Sequence, residues 1–342
     1  MIGIISYGFY IPRYRIKLEE IASAWDKCGE KVEKSLKIDE KAVAGLDEDV
    51  LTMGYEAASQ ALLNKAQIKK KIGAVFIGSE TFPYAVKPVS TSIASWLSLS
   101  NNYLAYDTQF ACKAATGALI SSYSMVKSQD VDFALVIASD KANARPQDAL
   151  EYSAASGANA WVIGREGVAL EIVDWSSYSS DTPDFWRRSK VDYPSHAGRF
   201  TGDPAYFKHI FESSKNLLRK TKMQPSDFTY AVFHMPNGNF PLKIAKTLGF
   251  THDQLAPSYI VPVLGNSYSA SALMGLVAVL EKIRLGETIF FASYGSGAGS
   301  DAIVFKATKH INSVRKQFRS KIKNKKYINY ATYLRYMESI VM

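Results

Sequence analysis

Apolar stretches of strand length alternate with stretches of helical periodicity along this chain. In the first part, the pattern of apolar positions predicts strands at Gly3–Tyr7, Ile72–Gly78, Leu104–Gln109 and Phe133–Ser139, and helices at Val50–Lys65, Thr91–Leu99 and Lys113–Lys127. The second part repeats the scheme, with strands at Val168–Val173, Tyr230–Phe233, Thr288–Ala292 and Ala302–Phe305, and helices at Ala205–Lys220 and Ala270–Ile283. This alternation predicts an α/β protein built in layers.

Four chemically versatile residues occur in two pairs with the same spacing. Glu80 and Cys112 form the first pair and His234 and Asn266 the second, and each member of the second pair lies 154 positions after its counterpart. The same offset aligns the apolar run that ends at Ser139 with a later one. Two like halves related by a pseudo-twofold axis would bring an acid, a thiol, an imidazole and an amide together. The spacing therefore predicts an active site.

The composition is that of an ordinary globular protein. Of the 342 residues, 47% are hydrophobic and 21% are charged, and no apolar stretch reaches the roughly 18 residues that a transmembrane helix requires. The N-terminal segment has no basic region and meets Pro12 early, which favours a strand over a signal peptide. Because Cys28 and Cys112 cannot build a disulfide framework, we expect a reducing, cytoplasmic setting.

Most of the net charge of +9 lies near the C-terminus. Residues 309–326 contain eight lysines and arginines and no acid, so the rest of the chain is close to neutral. We therefore expect two closely packed halves, 1–165 and 166–308, with their junction near Gly157–Gly167, and a basic extension at 309–342. Nucleic-acid binding is one interpretation of such an extension, but a solvated surface segment or one that docks on a partner subunit is the preferred one.

Cys112 lies where a predicted strand passes into a predicted helix. Its thiol would face the positive end of that helix, where free backbone N–H groups favour the thiolate. The small residues that follow allow the helix to pack closely against its neighbours. This context favours a nucleophile over the alternative, a buried structural cysteine.

The other three residues of the repeat also lie at the ends of predicted elements. Glu80 and His234 each end a strand, which is where α/β folds place ligands. Aromatic neighbours of Glu80 would raise its pKa toward the range of a general base or acid, whereas the alternative is an exposed loop acid. His234 could instead bond a nearby carbonyl, and Asn266 could merely cap the next helix. The shared spacing favours catalytic roles for both.

The glycine-rich segment Tyr294–Ser300 has the composition of a nucleotide-binding loop. The strand predicted after it excludes that function, because a dinucleotide fingerprint requires a helix after the glycines. The segment instead predicts a hairpin whose N–H groups form part of an oxyanion hole. The chain has no CxxC or HxxxH spacing, so we expect no metal site.

The chain resembles hydroxymethylglutaryl-CoA synthases of the archaeal type, a family with the thiolase fold. The resemblance runs nearly end to end, through the segments IGSETFPYAVKPVSTSIA, DTQFACKAATGAL, EYSAASGA, SSYSSDTPDFWRR, HAGRFTGDPAYFKHIFESSK, HMPNGNFPLKIAKTLGF, Gly265–Leu280 and YGSGAGSDA. It implies two pseudo-symmetric α/β halves packed as α-β-α-β-α layers. Glu80 separates this family from the ketoacyl synthases, which use Cys, His and Asn without that glutamate.

The resemblance also implies a mechanism. Cys112 would accept an acetyl group from acetyl-CoA, and the backbone N–H groups of Cys112 and Ser296 would hold the thioester oxygen. Glu80 would remove a methyl proton, and the enolate would attack the C3 ketone of acetoacetyl-CoA. His234, steadied by Asn266, would stabilise the developing alkoxide, and water would then release HMG-CoA.

Further residues match substrate-binding positions of the family. Ser153, Thr201 and Asn266 match positions that contact the acyl part, and Arg199 matches one that contacts CoA. Two positions depart from the usual pattern, with Asn239 in place of a lysine and Lys243 in place of an arginine. Lysine keeps the charge of arginine but loses its bidentate fork. We therefore expect altered CoA affinity rather than a lost reaction.

The resemblance implies partners as well. The segment Asn324–Tyr333 resembles the archaeal C-terminal extension, and archaeal relatives are homodimers that work with an acetoacetyl-CoA thiolase and a small OB-fold, zinc-containing protein in the mevalonate pathway. Acetyl-CoA and acetoacetyl-CoA would be the substrates, with no permanently bound cofactor. Two alternatives stay open: a condensing enzyme like ketoacyl synthase III, or a non-catalytic scaffold of a thiolase complex.

Overall fold

The computed structural model describes residues 1–340, so the last two residues of the predicted extension, Val341 and Met342, lie outside the described residues. The strands are β1 (Gly3–Tyr10), β2 (Tyr14–Lys17), β3 (Glu40–Val43), β4 (Ile72–Gly78), β5 (Leu104–Thr108), β6 (Phe133–Lys141), β7 (Ser156–Gly164), β8 (Leu170–Ser179), β9 (Phe185–Trp186), β10 (Ser195–His196), β11 (Tyr230–Phe233), β12 (Thr288–Ala292), β13 (Gly299–Ala307) and β14 (Lys326–Tyr327).

The helices alternate with these strands, as the apolar periodicity predicted. They are α1 (Leu18–Ala24), α2 (Gly29–Leu36), α3 (Val50–Ala61), α4 (Ala66–Lys69), α5 (Val89–Trp96), α6 (Ala114–Ser128), α7 (Gly198–Phe200), α8 (Phe207–Thr221), α9 (Asn239–Leu248), α10 (His252–Leu255), α11 (Val261–Leu264), α12 (Ser271–Leu280), α13 (Ile311–Val314), α14 (Phe318–Lys323) and α15 (Tyr330–Tyr336). Among residues 1–340, no helix combines the length and the apolar character needed to cross a membrane.

The main sheet repeats one arrangement of strands in its two halves. Its order is β11-β12-β13-β8-β1-β7-β6-β4-β5. Outward from β1, the chain adds β7 and β6 as antiparallel neighbours and β4 as a parallel one. Outward from β8, it adds β13 and β12 as antiparallel neighbours and β11 as a parallel one. The two halves therefore share a topology, and β4 and β11 occupy equivalent positions.

Alternate residues of these strands face different helix layers. Phe76 packs with α6 and α12 in the centre, whereas its neighbour Val75 packs with α3 and α5 on the outside. In the second half, Phe291 belongs to the same central core and Phe290 to an outer cluster that includes α8 and α9. The two halves of the sheet and the helices on their faces form five layers, in the order helix, strand, helix, strand, helix. Every residue of α12 is buried in the middle layer.

The segment expected to join the halves is itself a strand. The sequence predicted a junction near Gly157–Gly167, but β7 occupies Ser156–Gly164 and pairs with β1 on one side and β6 on the other. All nine of its residues are buried, so it shows none of the polar alternation that marks a half-exposed strand. The boundary at 165/166 falls in the connection between β7 and β8, and the division into halves stays a prediction.

The basic extension packs on its own chain through a few side chains while most of its residues stay at the surface, and docking on a partner subunit stays a prediction. Phe318 and Tyr333 are buried in the central core, and β14 pairs with β2. Arg315 donates to the carbonyl oxygen of Ile283 at 2.6 Å. The apolar side chains interspersed among the lysines supply the buried contacts, while most of the lysines stay at the surface.

Candidate active site

The four residues of the repeat lie at equivalent places in the two halves. Glu80 follows the end of β4 and His234 follows the end of β11. Cys112 lies between β5 and α6, and Asn266 lies between α11 and α12. The residue before each is in the left-handed region, with φ +45° at Ala111 and +74° at Gly265. A residue with positive φ therefore precedes both the thiol in one half and the amide in the other.

Cys112 is a buried thiol in the resting site. It is 4% exposed and packs with Ala144, Ala154 and Tyr268. Burial and the nearby Glu80 carboxylate raise the pKa of the Cys112 thiol well above its ordinary value. The expectation that the helix end would favour a thiolate is therefore wrong for the free site, because desolvation and a neighbouring acid outweigh the helix.

Glu80 has the environment of a general base that works near neutrality. Burial raises its pKa to about 8, and the negative charge of Asp140 acts in the same direction. The thiol of Cys112 and the guanidinium of Arg187 oppose this effect in part. One carboxylate oxygen of Glu80 is buried and accepts no hydrogen bond from residues 1–340, so it is available to a substrate proton.

Asp140, which sequence reasoning missed, holds the Glu80 segment in place. It is fully buried at the end of β6. One carboxylate oxygen accepts the hydroxyl of Ser79 and the backbone N–H of Glu80, both at 2.8 Å, and the other accepts the hydroxyl of Ser269 at 2.6 Å. Asp140 therefore links the acid of the first half to the segment that follows Asn266. The sequence feature that could have identified Asp140 is a single acidic residue at the end of an apolar strand.

His234 is buried, neutral and free to make new contacts. It is 1% exposed, and burial lowers its pKa to about 3. Its backbone N–H donates to the carbonyl of Ala292 at 2.9 Å, and Tyr206 donates its hydroxyl to the His234 carbonyl at 2.6 Å. Neither ring nitrogen has a hydrogen-bond partner in the described part of the chain. In a neutral imidazole one ring nitrogen donates a hydrogen bond and the other accepts one, so His234 can make one bond of each kind to a ligand.

Asn266 is fixed by local hydrogen bonds rather than by His234. Its side-chain oxygen accepts the backbone N–H of Tyr268 at 3.1 Å, which is the capping contact considered as an alternative. Its backbone N–H donates to the carbonyl of Ser153 at 2.7 Å, which brings that buried serine beside it. Within residues 1–340 Asn266 makes no hydrogen bond to the ring of His234, and its expected role in steadying His234 stays a prediction.

A cavity of about 220 Å³ opens beside Glu80, the one member of the four that lines it among the described residues. Its lining residues come from both halves and are Ser79, Glu80, Thr81, Gln109, Ala111, Asn143, Phe185, Trp186, Arg187, Pro194, Tyr268 and Ser296. Ser296 lies in the hairpin between β12 and β13, closed by a hydrogen bond from Gly295 to Gly299 at 2.7 Å. The hairpin predicted from the glycine-rich segment is therefore confirmed.

A second cavity, of about 650 Å³, lies beside one of the residues predicted to bind CoA. Lys243 lines it, with its ammonium 4.1 Å from the centre of the Phe207 ring and 3.7 Å from a carboxylate oxygen of Asp203. Arg199 and Thr201 lie just before this cavity wall in sequence, in α7 and at the turn that follows it. The side chain of Asn239, the other departure from the family, donates to the carbonyl of Ser35 at 2.6 Å.

Residues 1–340 contain no cluster of three or more His, Cys, Asp and Glu side chains that could hold a metal ion.

Comparison with known proteins gives consistent matches over the whole chain. A family model described as 3-oxoacyl-(acyl-carrier-protein) synthase III C terminal matches residues 218–307. Hydroxymethylglutaryl-CoA synthases of Archaeoglobus fulgidus and Methanosarcina mazei are 46% and 47% identical to this chain, over 99% of it and 99% of each relative. A crystal structure of HMG-CoA synthase complexed with CoA has a TM-score of 0.89 at 23% identity, and covers 100% of this chain and 91% of its own.

Proposed function

This chain belongs to the hydroxymethylglutaryl-CoA synthase family, and from that premise we propose how its own residues carry the reaction. It is an acyltransferase that condenses acetyl-CoA with acetoacetyl-CoA to give HMG-CoA and free CoA. Its five-layered fold is thiolase-like, as the sequence predicted. Identity of 43–47% across essentially the full length of the curated relatives is the observation that supports this function most strongly. We retain the division into 1–165, 166–308 and 309–342 as a proposal.

In the first step, Cys112 attacks the thioester carbon of acetyl-CoA. Because burial keeps Cys112 a thiol, attack has to be coupled to loss of its proton. We assign that proton to the neutral ring of His234, which then returns it to the departing CoA thiolate. Backbone N–H groups of Cys112 and Ser296 hold the thioester oxygen and its developing charge.

In the second step, Glu80 removes a proton from the acetyl methyl group. The resulting enolate attacks the C3 ketone of acetoacetyl-CoA, and His234 donates a hydrogen bond to the forming alkoxide. Asn266 contributes its amide at the same centre and, with Ser153 and Thr201, contacts the acyl chain. A carboxylate with a pKa of about 8 is a stronger base than an ordinary glutamate, which supports this role.

In the last step, water cleaves the thioester at Cys112 and releases HMG-CoA. During the cycle, Arg199 and Lys243 hold the CoA phosphates. Lys243 retains a cation at its position, whereas Asn239 contributes none and already bonds the chain at Ser35. We therefore expect weaker CoA binding than in a relative with lysine and arginine at these two positions.

We further propose a homodimer joined along β5. This strand is the edge of the sheet, and Leu104 and Tyr106 on it are 51% and 38% exposed, near the exposed Trp96 of α5. A twofold axis that paired β5 with its copy would cover an apolar edge that a solitary chain leaves open.

We also propose that the dimer works in the mevalonate pathway beside an acetoacetyl-CoA thiolase and an OB-fold zinc-containing protein, as the resemblance to the archaeal family implies. It needs no resident cofactor or metal of its own, because thioester substrates, a thiol and a carboxylate complete the chemistry. A cytoplasmic location fits the catalytic thiol and the exposed free Cys28, which a reducing compartment protects from oxidation.

The decisive experiment is mass spectrometry of the purified protein after brief incubation with acetyl-CoA and then acetoacetyl-CoA. We expect an acetyl adduct on Cys112 that disappears as HMG-CoA forms. An adduct that persists would favour a ketoacyl-synthase-like enzyme, and no adduct would favour a scaffold. Glu80→Gln should keep the adduct and lose HMG-CoA formation, whereas a ketoacyl synthase would not depend on this side chain.

A further inference from the structure

The loop that bears Arg187 is attached firmly to both sides of the catalytic cavity. Asp184, fully buried, accepts the hydroxyl of Tyr294 at 2.8 Å and the backbone N–H of Gly297 at 2.9 Å, so the loop is tied to the oxyanion hairpin. The ring of Phe185 packs edge-on against Tyr268 with the ring centres 6.2 Å apart. The position of Arg187 at the cavity wall is therefore a built feature of the fold.

Arg187 is the one basic side chain among the described residues that line this cavity. A guanidinium nitrogen donates to the backbone carbonyl of Glu80 at 3.0 Å, and within residues 1–340 it makes no other hydrogen bond or ion pair. Arginine has five N–H donors in a planar fork. Most of that fork is consequently free to meet a ligand in the cavity.

The reaction creates one new charge at this place. Water adds to the carbonyl carbon of the Cys112 thioester, the carbon–sulfur bond breaks, and the sulfur regains a proton. The acyl group leaves as a carboxylic acid that gives its proton to solvent, so a neutral thioester becomes a carboxylate. Carboxylates bind most strongly to a guanidinium that offers two parallel N–H groups.

We propose that Arg187 binds the carboxylate formed when the Cys112 thioester is hydrolysed, and that it thereby promotes this step and product recognition. The inference rests on the proposed function of Cys112. Since the thioester carries no charge, the free N–H groups of Arg187 gain little from the acetyl-enzyme and more from the hydrolysis transition state and the product. Removing the side chain should therefore affect deacylation more than acylation.

The test is rapid-quench mass spectrometry of Arg187→Met, with Arg188→Met as the matched control. Arg188 is the next residue of the same exposed loop but does not line the catalytic cavity. In Arg187→Met we expect acetylation of Cys112 within about twofold of the wild-type rate, accumulation of the HMG adduct, and adduct hydrolysis slower by about tenfold or more, the usual worth of a hydrogen bond to a charged group. Inhibition by the free diacid 3-hydroxy-3-methylglutarate should weaken by a similar factor.

Arg188→Met should retain the wild-type rates, and Arg187→Lys should fall between wild type and Arg187→Met. Unchanged adduct hydrolysis and unchanged inhibition by the diacid in Arg187→Met would overturn the proposal. Accumulation of the acetyl adduct in place of the HMG adduct would also overturn it, since that result means that Arg187 acts on condensation by positioning Glu80. An equal loss of acetylation and hydrolysis would overturn it as well, since that result means a general disturbance of the site. If the wild type forms no acetyl adduct at all, the proposed function itself has failed, and this inference fails with it.

Discussion

The two halves of this protein present reactive groups from equivalent strand ends but surround them differently. In the first half, Glu80 and Cys112 lie close together beside the buried Asp140, and burial raises the pKa of both. In the second half, burial lowers the pKa of His234 to about 3, and its ring nitrogens have no partner in the described residues. The same physical cause, loss of water, favours the uncharged form in each case.

This difference shows that place in the fold and chemical role are separate properties. The equivalent ends of β4 and β11 give both groups the same place in their halves of the sheet. The hydrogen-bonding environment decides the rest, because Asp140 holds the Glu80 segment rigidly while His234 is fixed only through its backbone and its packing. The first half thus combines a buried thiol with a carboxylate of raised pKa, and the second half presents a neutral ring that can receive a proton or donate a hydrogen bond.

The largest expected effect comes from removing the free imidazole. His234→Ala should lower the turnover rate by roughly 10²–10⁴-fold, the usual contribution of general acid–base catalysis. It should slow acetylation of Cys112 as well, whereas Glu80→Gln should leave acetylation intact. Quench measurements of acetyl-enzyme formation in both variants check this contrast. Acetylation at the wild-type rate in His234→Ala would remove His234 from the first step.

The pH dependence of the condensation step is the second way to test the comparison. In the proposed mechanism Glu80 works as a base, so only its ionised form would be active, and that form increases as pH rises through its pKa of about 8. Single-turnover condensation by the acetyl-enzyme should therefore rise about tenfold between pH 7 and pH 9. His234 has a pKa of about 3 and should contribute no inflection there. A rate that is flat over this range would contradict the assignment of Glu80.

The sequence was sufficient to predict what depends on periodicity and spacing. The apolar pattern predicted the main strands and central helices, and the repeated spacing of Glu80, Cys112, His234 and Asn266 predicted their equivalent places in the two halves, whereas the shared centre stays a prediction. Asp140 was not identified from the sequence, because the offset of 154 residues pairs it with Tyr294. Tyr294 is not an acid, so the repeat gave no reason to single out Asp140.

Other features depend on tertiary burial and could not be predicted from a local pattern. The protonated state of Cys112 results from desolvation and the charge of Glu80, neither of which a local sequence argument can measure. The lysines dominate the composition of the extension, so its sequence did not indicate the few side chains, such as Phe318, that pack it on its own chain. The strand β7 was missed because it is buried on both faces.

A smaller effect is expected from neutralising the acid that supports Glu80. Asp140→Asn keeps the size of the side chain but weakens a set of buried, charge-assisted hydrogen bonds, so it should lower the free energy of unfolding by about 1–3 kcal/mol. Because the charge of Asp140 raises the pKa of Glu80, the inflection of the condensation profile should move to lower pH. Chemical denaturation measures the change in stability, and the pH profile measures the shift of the inflection. The control is Asp181→Asn, because Asp181 is exposed. A profile that moves to higher pH would contradict this electrostatic account.

The smallest expected effect tests whether the extension is a support or a part of the site. The hydroxyl of Tyr333 lies 3.0 Å from the ammonium of Lys41, which is fully buried and also bonds the carbonyl of Glu151, shortly before Ser153. Tyr333→Phe should therefore lower the free energy of unfolding by about 1 kcal/mol and leave the turnover rate within about twofold. Tyr84→Phe, in an exposed ring, should change neither. If Tyr333→Phe instead reduced turnover while stability held, the extension would act on catalysis through the turn that precedes Ser153. The geometry of the first half would then depend on residues that lie outside both halves.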